Sequence, residues 1–151
     1  LFSSYSGDVQ RINLDLALVK PHFFVSVPRL FNRFYDTIKG KFEQVTGFKK
    51  TLLDRAYAAK VSNLHANGSF THPIYDRVVF GATKEAFGGR IKLMVSGSAP
   101  LLPHVEDFIK IVSCSPLIEG YGQTESTGAS FVTNSADPVS GYVGGPTVKF
   151  K

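Results

Sequence analysis

The stretch IKLMVSGSAPLLPHVEDFIKIVSCSPLI, residues 91–118, decides the fold class. Ile91 to Val95 is a short apolar run of the kind that is buried in a parallel sheet. Gly97 and Pro100 break the run into a loop. Pro103 suits the first turn of a helix, where its ring presets φ and its missing N–H would have had no helical partner. Beyond it Val105, Phe108, Ile109 and Val112 recur at helical spacing and form one apolar face. Pro116, Leu117 and Ile118 then begin another short strand. Strand, loop, helix and strand in succession are the crossover unit of a parallel sheet, and they predict an α/β fold.

Working upstream, Phe23 to Val27 is aromatic and β-branched and is bounded by Pro21 and Pro28, which predicts a further buried strand of the same sheet. Before it, Leu1 to Asp8 reads as an extended piece running into a turn. Asn13 is read as the cap of a short helix carrying Leu14, Leu16, Leu18 and Val19, stopped by Lys20 and Pro21. After Pro28, Leu30, Phe34, Ile38 and Phe42 recur every four residues with Phe31 and Tyr35 beside them. A turn at Gly47 leads to a second stripe, Leu52, Leu53, Ala56, Tyr57, Val61 and Leu64, ending near Asn67 and Gly68. Ile74, Val78, Ala82 and Ala86 carry a third, from Pro73 to Gly88 and Gly89. Three helices with no strand between them predict a helical insertion over residues 29–88. The last third, rich in Gly, Ser and Thr, predicts loops and hairpin strands at the rim of the sheet, where α/β proteins bind ligands.

Composition sets the outer bounds. The 151 residues are 43% hydrophobic and 19% charged, with 13 Phe and 6 Tyr, so the chain can bury a core and is neither disordered nor low in complexity. Its one cysteine, Cys114, excludes an internal disulfide framework and a Cys-rich zinc site, fits a reducing compartment, and reads as an inert apolar residue. No apolar run is long enough to cross a bilayer. The formal charge of +5 would attract phosphorylated ligands, anionic lipid or nucleic acid, but Lys39, Lys41, Lys49, Lys50 and Arg55 read as solvated helix faces. His22, His65, His72 and His104 show no metal-binding pair spacing. Leu1 in place of Met, and a strand-like Val148 to Lys151 with no turn after it, are read as the ends of a piece cut from a longer chain.

Two loops that follow predicted strands concentrate the chemistry. Ser96, Gly97, Ser98, Ala99, Pro100 and Leu101 are small enough to let backbone approach a flat or charged ligand. Glu119, Gly120, Tyr121, Gly122, Gln123, Thr124, Glu125 and Ser126 gather an aromatic face, a hydroxyl and a carboxylate within a few residues. Such groups can stack on a purine, donate to a phosphate and hold the magnesium that nucleotides carry. None of Ser96, Ser98 and Ser126 sits in a Gly-x-Ser-x-Gly elbow, which speaks against a serine nucleophile.

Tyr121-Gly122-Gln123-Thr124-Glu125, with Gly97-Ser98-Ala99-Pro100-Leu101 about twenty residues earlier and Gly141-Tyr142-Val143-Gly144-Gly145-Pro146 after it, resembles the middle of the adenylate-forming, AMP-binding enzymes. Lys20 to Asp36 and the helical insert behind it are similar to the long-chain fatty acyl-CoA synthetase branch. The resemblance implies a truncated piece, residues 1–151, of the large N-terminal adenylation domain: a mixed, largely parallel sheet flanked by helices, with residues 89–146 as the nucleotide-site strands and loops. It implies that Gly97, Ser98 and Ala99 wall the adenine, that Tyr121 stacks on it and that Gly122 lies at the nucleotide. Thr124 would bond the α-phosphate and Glu125 would ligate Mg²⁺, the two forming the catalytic pair. Gly120 and Gly122 would keep the strand end thin for the acyl carboxylate, with Gly144 and Pro146 shaping the turn beneath the acyl site.

The implied reaction activates a long-chain fatty acid with ATP to an acyl adenylate, releasing pyrophosphate, and transfers the acyl group to coenzyme A. The implied setting is intracellular, cytoplasmic or on the cytoplasmic side of a membrane with which the whole protein associates peripherally. No nucleic acid is expected. The family's upstream phosphate loop, its ribose-binding aspartate and its C-terminal lysine have no counterpart in these residues, so the chain alone is expected to be inactive, and no role is assigned beyond Pro146. Two alternatives stand beside this reading: an adenylate-forming ligase for an aryl or amino acid, and a basic module that binds lipid or nucleic acid. An enzyme-derived scaffold without activity is a further one, against which intact Thr124 and Glu125 weigh.

Overall fold

A computed structural model describes residues 11–126, 128–135 and 137–147; the predicted extended piece at Leu1 to Asp8 and the strand-like end at Val148 to Lys151 lie outside them. The elements are α1 (Ile12–Val19), β1 (Phe23–Ser26), α2 (Pro28–Glu43), α3 (Phe48–Asn67), α4 (Tyr75–Val78), α5 (Gly81–Ala86), β2 (Leu93–Gly97), α6 (Pro103–Ser113), β3 (Leu117–Gln123), β4 (Gly128–Val132) and β5 (Gly145–Pro146). The strands form one sheet in the order β1-β2-β3-β4-β5. β1, β2 and β3 run parallel, with Phe24 opposite Met94 and Met94 opposite Leu117. β4 and β5 return antiparallel. The sheet is therefore mixed, and the fold is α/β with helices between the parallel strands.

One face of the sheet carries the core. Met94 and Leu117 point to the helices and are fully buried, as are Phe31 of α2 and Ile109, Ile111 and Val112 of α6. Aromatic edges lock the helical layer: Phe34 meets Phe87 with ring centres 5.0 Å apart, and Tyr35 meets Phe108 at 4.8 Å. α6 is buried almost all round because β3 lies on one side and α2, α3 and α5 on the others. Pro28 and Pro103 each stand in the first turn of their helices, as their ring geometry favours.

Three local expectations are corrected. β1 is not buried on both sides: it is an edge strand among the described residues, and Phe23 and Val25 are 56% and 61% exposed. A short apolar run reports hydrophobicity but not which faces are covered. Asn13 is not a cap; Arg11 holds that position without a side-chain bond, and Asn13 falls inside the first turn. Lys20 does end the helix, in a left-handed conformation whose N–H donates to Leu16 O. The third predicted stripe fails too. Two short helices, α4 and α5, replace one long one, Ile74 and Val78 point to solvent, and Phe80 and Phe87 take the core positions.

Two cations lie inside this layer. Lys60 shares the buried stripe of α3 with Leu53, Ala56 and Leu64, and its side chain has no exposure. Its Nζ is 2.6 Å from Asp76 Oδ1, donates to Ile111 O at 2.7 Å and to Cys114 Sγ at 3.3 Å, and sits over the Phe80 ring. The carbonyl of Ile111 lies in the last turn of α6, where no further helical N–H is available. Burial pushes the Cys114 thiol up, against the pull of Lys60, so the sulfur stays protonated. Lys110 pairs within α6 with Glu106 at 2.7 Å, both buried.

Candidate functional site

The sequence motifs converge on the carboxyl ends of β2 and β3. Gly97 pairs in register with Gly120 and Ser96 with Glu119, so the loop after β2 lies directly beside the outer half of β3. Ser98 turns this loop with φ of 73°, in the left-handed region. Leu101 is buried, and its N–H donates to Glu119 Oε2 at 2.9 Å. The buried carboxylate of Glu119 thereby ties the loop to the strand that carries Tyr121, Thr124 and Glu125. Its other oxygen and the Ser96 hydroxyl, neighbours in the register, are buried without a hydrogen-bond partner among the described residues.

The second predicted loop is mostly strand. β3 continues through Gln123 because it pairs with β4, with Tyr121 opposite Phe131 and Gly122 opposite Ala129 across a register shift. Only Thr124–Ser126 turns, as one short 3₁₀ element. The Ser126 hydroxyl closes that turn: it accepts from Gln123 N at 3.2 Å and lies 3.0 Å from the carbonyl oxygens of Gln123 and Gly128. With the turn held from below, Thr124 and Glu125 face solvent. The Tyr121 ring is 48% exposed and leans on Phe131 with centres 6.2 Å apart. A flat ligand can reach its open face.

The glycines separate into two kinds. A side chain at Gly122 would run into the backbone of Gly128, and one at Gly144, which has φ of +74°, into the backbone of Val132 and Thr133. Both are demanded by the chain's own packing. At Gly120, by contrast, a Cβ would meet nothing closer than 3.8 Å, and at Gly97 nothing closer than Gly120 O at 3.5 Å. Packing among the described residues therefore leaves space at these two positions that a side chain would fill.

The third motif arrives through the antiparallel strands. Gly145 pairs with Val132 and Pro146 with Phe131, which is itself opposite Tyr121. Thr133 joins the layers: its N–H donates to Glu119 O at 2.9 Å and its hydroxyl to Tyr142 O at 2.8 Å. Glu106 accepts from Gly141 N at 3.0 Å. Its carboxyl is raised above the usual range by burial, with Lys110 and the Gly141 N–H pulling the other way. The residues assigned from the motifs therefore lie on neighbouring strands or in the loops and turns that adjoin them. Glu119, Ser126, Thr133 and Glu106, to which the motifs assigned no role, are the groups that hold them. Glu119, Thr133 and Glu106 are buried against partners distant in sequence, whereas Ser126 bonds within its own turn, and only their polar character within otherwise apolar or glycine-rich stretches marks them beforehand.

A single carboxylate suits magnesium, which keeps most of its waters and takes one or two protein carboxylates beside the phosphates of its ligand. Glu125 is exposed and makes no ion pair among the described residues, so its oxygens are free for that use. No cluster of three or more His, Cys, Asp or Glu able to hold a metal occurs among the described residues. A cleft of about 330 Å³ between Gly68, Phe70, Pro116 and Ser135 lies at the other end of β3 and includes none of the motif residues.

Comparison with known proteins sharpens this picture. The profile of the AMP-binding enzyme family matches residues 6–150. Long chain acyl-CoA synthetase 6, peroxisomal, of Arabidopsis thaliana is 40% identical over 142 residues, covering 94% of this chain and 20% of that protein. Fatty acyl-CoA synthetase A of Dictyostelium discoideum is 34% identical over 142 residues, with 94% and 21% covered. The chain thus spans about a fifth of the length of these relatives. Among solved structures, the adenylation domain of a carboxylate reductase from Mycobacterium chelonae superposes with a TM-score of 0.60 at 26% identity, over 84% of this chain and 17% of that one.

Proposed function

This chain belongs to the AMP-binding enzyme family, and from that membership we propose that it forms part of a long-chain fatty acid–CoA ligase. The proposed reaction has two steps. The carboxylate oxygen of the fatty acid attacks the α-phosphorus of ATP and pyrophosphate leaves, giving an acyl adenylate. The thiolate of coenzyme A then attacks the acyl carbon and AMP leaves, giving the thioester. The observation that carries the reading is the end of β3, where Tyr121, Thr124 and Glu125 stand open to solvent beside Gly97 and Gly120, positions at which a side chain would meet no close atom. The identity to long-chain acyl-CoA synthetases supports the acyl substrate class.

In this reading Tyr121 stacks on the adenine and the backbone of Gly97, Ser98 and Ala99 walls it. Thr124 donates to the α-phosphate, and Gly120 and Gly122 leave the carboxylate a path to phosphorus. Gly144 and Pro146 shape the turn beneath the acyl group. Glu125 would hold Mg²⁺, which when bound neutralises phosphate charge. A weak nucleophile meeting a highly charged phosphate gains most from alignment and charge neutralisation. Since the other parts of a nucleotide site would come from outside these residues, this chain alone carries half of one. The exposed lysines of α2 and α3 fit a whole enzyme that rests on an anionic bilayer surface, where long-chain acids gather. The single cysteine fits a reducing, intracellular setting.

The test is acid-dependent exchange of labelled pyrophosphate into ATP by the full-length protein, over short, long and aryl acids. Exchange that peaks with long chains is expected. A peak with an aryl or amino acid would move the protein to another branch of the family, and no exchange with any acid would leave it without the proposed chemistry.

A further inference from the structure

We propose that Glu106 and Lys110 act as positioning residues that seat the Ser140–Pro146 segment on α6 and so set the acyl side of the site. The inference rests on the reading above for the role of that segment; the seating itself rests on geometry. Both side chains are buried, 0% and 5% exposed, and lie 2.7 Å apart. Glu106 uses its second oxygen, Oε2, to accept from Gly141 N at 3.0 Å. Lys110 donates to Ser140 Oγ at 3.0 Å, and Ser140 donates in turn to Asp107 Oδ1 at 2.6 Å. Three hydrogen bonds from about one turn of α6, at Glu106, Asp107 and Lys110, thus fall on two adjacent residues of the loop. Gly141 has φ of +91°, and a side chain there would strike the Pro103 ring at the start of the same helix. The segment can lie this close to α6 only with glycine at that position.

A buried ion pair is a poor source of stability, since apolar residues of similar size would fill the same space at least as well. Its distinctive contribution is therefore what it holds. The held loop leads within four residues to Gly144 and Gly145, and from there Pro146 pairs with Phe131 opposite Tyr121. On the nucleotide side the corresponding tie is Glu119 on Leu101 N. Two buried carboxylates thus hold two different walls, and loss of one should be felt by one substrate.

The experiment uses the full-length protein with three variants: Glu106→Met with Lys110→Met, which keeps the helix packed; Glu106→Ala; and Glu106→Gln, which keeps an acceptor for Gly141 N. The double variant is expected to raise KM for the long-chain acid roughly tenfold while KM for ATP stays within about twofold, because misplacing one wall affects the group that it positions. Glu106→Gln should return most of the affinity for the acid. Amide hydrogen exchange in a peptide covering residues 138–147 should quicken about tenfold or more in the double variant, with residues 98–102 unchanged. Equal rises in both KM values, or unaltered protection of residues 138–147, would overturn the proposal. A wild-type protein without acid-dependent exchange would sink the ligase reading instead, and the protection measurement would still decide the seating.

Discussion

The rim turn at Thr124–Ser126 and the Lys60 socket both gather polar groups in a small space, and they do so in opposite ways. At the rim, Ser126 uses its hydroxyl to satisfy the backbone, and Thr124 and Glu125 are exposed and unpaired among the described residues. In the socket every donor of Lys60 is engaged by this chain itself: Asp76, the carbonyl of Ile111 and the sulfur of Cys114. Groups left unpaired at the surface cost the fold little and are available to a ligand. Groups fully paired inside are structural, since any ligand would have to displace partners that burial makes expensive to lose.

That contrast is broken or sharpened most strongly by Glu125→Ala. In the full-length protein the rate of acyl-adenylate formation should fall by about 10²–10³, the range seen when one preorganised charge-stabilising group is removed. The thermal midpoint should stay within about 1 °C, because an exposed residue away from packing changes stability little. An unchanged rate would remove Glu125 from the mechanism. A lost midpoint would show that the rim is structural after all.

The converse substitution is Lys60→Ala. It leaves Asp76 partly buried without its cation and uncaps the Ile111 carbonyl at the end of α6, and removal of one partner from a buried pair costs about 3–5 kcal/mol. Thermal denaturation should show a lower midpoint by several degrees, and amide exchange should rise first at the junction of α3 with α6. KM for ATP measured below the new transition should remain within about twofold. A selective change in KM with stability intact would mean that the socket communicates with the site. A smaller effect is expected of Tyr121→Leu, which keeps apolar bulk but removes the aromatic face: stacking worth about 1 kcal/mol predicts a KM for ATP about fivefold higher, with KM for the acid unmoved.

The two regions also differ in how far the sequence disclosed them. The unit of strand, loop, helix and strand over residues 91–118 was legible because Gly97, Pro103 and Pro116 punctuate it and the apolar spacing of α6 agrees with them. The motif residues stood out because an aromatic, a hydroxyl and a carboxylate between glycines have few uses in a core. What stayed hidden depends on distant partners. That β3 runs on to Gln123 follows from its pairing with β4, and Ser126 gains its role only from that hairpin. Nothing in the sequence sets Lys60 apart except its place on the stripe of Leu53, Ala56 and Leu64, and its partner Asp76 lies on another element. The break between α4 and α5 likewise follows from Phe80 and Phe87, whose burial the stripe of Ile74 and Val78 concealed.

The smallest predicted effect comes from Tyr57, on the helical side of the comparison. Burial raises its hydroxyl pKa to about 12, with the charge of Asp107 and the nearby Tyr35 adding to the shift. An unfolded tyrosine ionises near 10. Between these values the folded state binds the proton that the unfolded state has lost, so this contribution is fully present below pH 10 and disappears as pH rises toward about 12. Tyr57→Phe removes the titrating group but keeps the ring that packs on Phe108 with centres 5.8 Å apart. Its thermal midpoint should match that of the unsubstituted protein near neutral pH and fall less steeply in the alkaline window. Rim substitutions such as Glu125→Ala should leave the alkaline slope alone. If they altered it as much as Tyr57→Phe does, the rim and the helical layer would be one titrating unit, and the division between exposed, unpaired chemistry and buried, paired structure would not hold.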